Sequence, residues 1–272
     1  MGGRGSSSNI GYRFGGRVSQ NQTNIQSNQS TNQTPVDDLI EASQIDSIYG
    51  NNTADMFLNM SEDELVSAYN NSRNVDMPNH IDDISDETQK FVYANGLNKK
   101  PTVLDDTSFD NFLKQNKISD DEILIREVNG VRFNSKGVTY NYTANDITDM
   151  FKTSDINYIG GKRGGQVYGA GTYFGMSGRY GSTGYASGAT MMAILNPKTA
   201  RVISDSNIDR QWSKFIQKNK KLSNLGVTNE SVKALMMGYN VITSSQGNSS
   251  KKYGAYYNVI DRSAIVVRAN NR

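Results

Sequence analysis

The sequence predicts an α+β protein. Apolar runs of strand length and amphipathic runs of helix length both recur, and they follow one another without regular strand–helix–strand alternation. They begin only after a long polar opening. The 272 residues suffice for one large domain or two small ones.

Residues 1–34 hold five Asn, five Gln, six Ser, six Gly and three Thr. Such a segment has too little apolar surface to offset its ordering entropy, so it reads as a disordered polar tail. Its charges are Arg4, Arg13 and Arg17, the last two interleaved with Tyr12, Phe14 and glycine pairs. That pattern suits a flexible tail, or an anchoring peptide for a partner or a nucleic acid.

Residues 35–79 carry helix signals with little core and read as a helical linker. Thr34 and Pro35 with Asp37 and Asp38 resemble a cap, a first-turn proline and dipole-matching acids. Ser61 and Glu64 form a capping box ahead of Leu65, Val66 and Tyr69.

From residue 80 to 272 the pattern is that of one domain. Ser85 caps a helix with Phe91 and Val92 on one face and Gly96 as its stop. "DTSFDNFLKQN" gives a second short helix, with Phe109, Phe112 and Leu113 on its apolar side. "DEILIREV" is a strand that stays apolar until Arg126, and Thr143 with Asp146 opens a helix holding Ile147, Met150 and Phe151. A Gly/Tyr-rich stretch, 165–188, then carries eight of the 25 glycines. "TMMAIL" and "ARVIS" read as strands, followed by a helix with Ile208, Trp212, Phe215 and Ile216. A further helix ends at Gly238, and "YNVITS", "YYNVID" and "SAIVVR" close the chain as strands.

Composition narrows the chemistry. There is no cysteine, hence no disulfide framework, thiolate nucleophile or cysteine metal site, and no metal site is expected. The single histidine, His80, lies in a polar stretch with no orienting partner in view, and reads as a solvated loop residue. With 29 basic and 27 acidic residues, no global field steers the chain to nucleic acid, which leaves the tail as the one route to it. No run approaches the ~20 apolar residues of a membrane span.

"LIRE", "YGAGTYFGMSGRYGSTGYA", "AILNPKTARVI", "GYNVI" and "YYNVIDRSAIVV" fall in the order seen in ADP-ribosyltransferases, and the chain resembles the phage-encoded versions over about residues 83–272. "MGGRGSSS" looks like the start of phage minor head proteins. The resemblance implies a split pair of small antiparallel sheets with flanking helices, with NAD between them. It also implies a place in the virion or the host cytoplasm, no membrane, and as partners a host acceptor protein or phage head proteins.

The resemblance also assigns residues. Arg126 would clamp the diphosphate or ribose with its planar donor fork. Gly169, Gly171, Thr172 and Tyr173 match the strand that contacts the nicotinamide half, with Tyr173 stacking on the ring. Ser177 and Tyr185 would flank the same ring. Glycines there would let the cofactor and backbone N–H groups approach closely.

One position departs from the family pattern. Where active members carry a glutamate that stabilises the oxocarbenium-like charge, this chain has Asn258. The nearest carboxylate is Asp261, and Glu127 stands where many relatives have glycine. Two functions follow: a mono-ADP-ribosyltransferase that uses NAD, with Arg126, Tyr173 and Asn258 as its catalytic set, or a degenerate member serving as a structural minor head or capsid component.

Overall fold

A computed structural model describes residues 53–75, 87–135, 137–153, 171–176, 188–244 and 256–270. The tail, Ser85, Gly169, Ser177 and Tyr185 lie outside the described residues. The protein is a mixed α and β structure, as expected. Its helices are α1 (Thr53–Asn59), α2 (Glu62–Ser72), α3 (Glu87–Val92), α4 (Asp106–Asn116), α5 (Ala144–Thr153), α6 (Asp205–Lys218) and α7 (Glu230–Met236). Its strands are β1 (Thr102–Leu104), β2 (Leu124–Val128), β3 (Val131–Ser135), β4 (Val138–Tyr142), β5 (Thr172–Met176), β6 (Ala189–Leu195), β7 (Val202–Ser204), β8 (Val241–Ser244), β9 (Tyr256–Val259) and β10 (Ile265–Arg268).

Eight strands form one sheet in the order β1-β10-β6-β2-β5-β9-β8-β7, and β3 with β4 makes a separate hairpin. This corrects the expectation of two split antiparallel sheets. β1 joins β10, and β7 joins β8, in parallel, so the sheet is mixed. The place where a split would fall is still the weakest seam: β2 pairs with β6 over five residues, but with β5 only through Leu124↔Met176 and Ile125↔Gly175.

Strand alternation builds three layers. Leu124, Val128, Met191, Phe174 and Val259 face one side, where Ile147 and Phe151 of α5 cover them. The opposite face has two helical covers. Ile125, Met192, Ile194 and Val266 meet Phe109 and Leu113 of α4. Ile203 and Ile242 meet the helices that carry Trp212, Leu235, Phe91 and Leu65.

Local signals explain most elements. The Ser61–Glu64 box closes in both directions, with Ser61 N donating to Glu64 at 2.7 Å. Thr143 N donates to Asp146 at 2.7 Å and Asp146 N to Thr143 Oγ1 at 3.2 Å, starting α5 as the sequence predicts. The helices of 53–72 do not stand apart as a linker would: Phe57, Leu65 and Tyr69 are buried in the same cluster as α7. Gly96 does not stop its helix. It lies inside a π-helical turn, Tyr93–Leu97, that continues α3. A Cβ there would come within 2.1 Å of the Ile260 carbonyl oxygen, so glycine permits a backbone contact. β1 and the β3–β4 hairpin were not foreseen.

Candidate functional site

The seam between β2 and β5 carries the residues of interest. After Ile125↔Gly175 the two strands no longer pair. Arg126 is half-buried, and its Nη1 donates to the Tyr173 carbonyl oxygen at 2.8 Å. The guanidinium thus fills in where the backbone ladder stops, a use its fixed donor fork suits well.

The faces of the sheet separate the expected constellation. Arg126 alternates with Leu124 and Val128 and lies opposite Met191, which puts it on the α5 side. Tyr173 precedes Phe174, which is on that same α5 side, so Tyr173 faces the other way, with Asn258 directly opposite it on β9. The structure therefore brings Tyr173 and Asn258 together and places Arg126 across the sheet from them.

Asn258 is 1% exposed. Its Nδ2 donates to Ser231 Oγ of α7 at 3.3 Å, a long bond. On its other side sits Gly171, where a Cβ would lie 1.7 Å from Asn258 Oδ1 and 2.5 Å from Cγ. The glycine of "GAGTYF" at 171 thus makes room for a neighbouring amide. Thr172 is fully buried on the α5 side, opposite Val259.

Three carboxylates complete the picture. Asp261 is fully buried, and its Oδ1 accepts from Ser263 N at 2.8 Å and Ser263 Oγ at 2.7 Å, capping the short helix Arg262–Ala264. Glu127 alternates onto the face of Ile125 and Tyr173. Its Oε2 is shielded from solvent and has no hydrogen-bond partner among the described residues. Glu230 opens α7 beside Ser231, and no sequence signal linked it to this region. Burial raises its pKa first, then the negative charges of Asp209 and Asp205, against a smaller opposing effect of Lys233.

On the face bearing Tyr173, α4 packs on β1 and β10, and α7 on β8. Between them Ile125, Glu127, Thr190, Tyr173 and Tyr256 remain half-buried. This strip is the candidate binding surface among the described residues. It offers an aromatic face and one carboxylate. No group of three metal-ligating side chains occurs among the described residues, and no described helix is long and apolar enough to cross a membrane.

Of the residues the resemblance assigns to NAD, Arg126 and Tyr173 lie on opposite faces of the sheet, and Asn258 fills the space beside Gly171. Comparison with protein-family models, curated proteins and solved structures finds no match.

Proposed function

We propose that the chain is an ADP-ribosyltransferase-like module that lacks transfer chemistry and serves as a structural or binding component of a phage head. The observation that carries this reading is Asn258. It stands at the family's glutamate position, uncharged, 1% exposed, and wedged between Gly171 and Ser231. A residue sealed in this way cannot reach a ribose, and an amide supplies no charge to a developing cation. Arg126 supports the same reading, because its guanidinium bonds the backbone of β5. The ordered motifs and the head-protein-like opening support the particle as its setting.

A second reading, an active mono-ADP-ribosyltransferase that binds NAD and modifies a host protein, draws on the Tyr173 strip. Tyr173 is half-buried there and shares its face with Glu127. Incubating the protein with labelled NAD and host lysate separates the two. The proposal expects no label on protein above a boiled control. Labelling that is lost in Tyr173→Ala would establish the second reading instead.

A further inference from the structure

We propose that the exposed side of α6 is a binding surface for the phosphate backbone of nucleic acid. From Arg210 to Asn229 the chain carries five cations, Arg210, Lys214, Lys218, Lys220 and Lys221, and no carboxylate. In a chain with 29 basic and 27 acidic residues this is a local concentration of one sign. Arg210, Lys214 and Lys218 fall at successive intervals of four along one 14-residue helix and are all exposed. Their Cα atoms therefore climb one side of the helix in steps of about 6 Å.

Like charges four apart weaken a helix by a few tenths of a kcal/mol per pair. The fold does little to relieve this. Lys221 pairs with Asp63 at 2.5 Å. Asp209, the nearest carboxylate on α6, is held by Lys233 at 2.7 Å. No described residue gives Lys214, Lys218 or Lys220 an ion pair. The helix macrodipole favours a cation in the last turn, which accounts for Lys218 but not for Arg210 or Lys214.

The neighbours of the row select the partner. Ser206, Ser213 and Gln217 are exposed beside it, and Arg210 Nη2 donates to Asn207 Oδ1 at 2.7 Å. Hydroxyls and amides among Arg and Lys are the groups that contact phosphate oxygens. A protein partner would want an apolar centre to the patch, and a membrane an apolar wedge. The described exposed large hydrophobics, Met56, Leu58 and Val138, lie on other elements. With no exposed aromatic in the row to stack on bases, recognition is of the backbone and independent of sequence.

The test is fluorescence anisotropy of the full chain with a labelled 20-base-pair DNA duplex, titrated at several salt concentrations. The comparisons are the variant Lys214→Gln/Lys218→Gln/Lys220→Gln and a tail variant, Arg4→Gln/Arg13→Gln/Arg17→Gln. All three lysines are exposed, so an unchanged melting temperature checks that the fold is kept. The wild type should bind at low salt, with log K falling as log salt rises. The lysine variant should bind at least about tenfold more weakly and lose about 3 from that slope, near 0.9 per phosphate contact removed. The loss should be the same for unrelated duplex sequences, and the tail variant should retain the wild-type slope. No binding by the wild type, or a loss in the tail variant alone, would overturn the proposal. So would binding to anionic vesicles or an acidic peptide, rather than DNA, with the same lysine dependence.

Discussion

Gly171 and Asn258 share one small space, and each explains the other. A methyl group at 171 would enter the Asn258 amide, at 1.7 Å from Oδ1. Gly171→Ala should therefore destabilise by about 1–3 kcal/mol, the usual cost of overpacking. Adding Asn258→Ala should return part of that loss, because contacting residues are not additive. Urea denaturation of the two single variants and the double variant measures the coupling, and strictly additive effects would mean that the contact does not exist. Asn258→Glu asks the opposite question. It inserts a methylene and a charge into a site 1% open to solvent, so the melting temperature should fall sharply and no NAD-dependent activity should appear. A stable Asn258→Glu protein that transfers ADP-ribose would reverse the assignment of this position.

At the scale of an element, the start of α7 carries a pH signature. Glu230 has its pKa raised by burial and by Asp209 and Asp205. For a raised carboxyl, the unfolded chain ionises first as pH climbs. Stability is thus full below the usual glutamate range, near pH 4.3, and declines as pH rises through the folded-state value. Glu230→Gln should melt higher than wild type at pH 8, with the difference vanishing near pH 4. An equal difference at both pH values would remove titration as its cause. The π-helical turn after α3 makes a second case. Gly96→Ala drives a Cβ to 2.1 Å from a backbone oxygen, so no side-chain trimming can relieve it. Its cost should reach or exceed about 3 kcal/mol, the upper range of overpacking, with no single-site suppressor.

Elements were legible where the signal was local. The Thr143–Asp146 and Ser61–Glu64 boxes, the apolar side of α4 and the run of β6 each depend on residues within a few positions of one another. What failed needed distant partners. Gly96 looked like a helix stop because nothing in the sequence reveals that Ile260 lies against it. β1 is three residues long and is held by a strand more than 160 positions away. The hairpin of β3 and β4 does alternate apolar and polar residues, Val131 and Phe133 against Arg132 and Asn134, but each strand is only five residues long and the pair joins no larger sheet.

For the whole molecule, the seam between β2 and β5 is the place where a structural and a catalytic account diverge. The resemblance assigns Arg126, Tyr173 and Asn258 to one region, and their strands do lie side by side. Which face each residue occupies depends on register, and a shift of one position exchanges the faces. In the register observed, Arg126 sits across the sheet from Tyr173 and bonds its carbonyl at 2.8 Å. On the proposed reading, this arginine joins two strands and clamps no cofactor. Thermal unfolding with and without millimolar NAD tests it most directly, since a ligand of the native state at 100 times its Kd adds about 2.7 kcal/mol. The account predicts that NAD leaves the melting temperature of the wild type unchanged, and that Arg126→Ala melts lower whether or not NAD is present. A melting temperature that rises with NAD in the wild type, and no longer rises in Arg126→Ala, would contradict it.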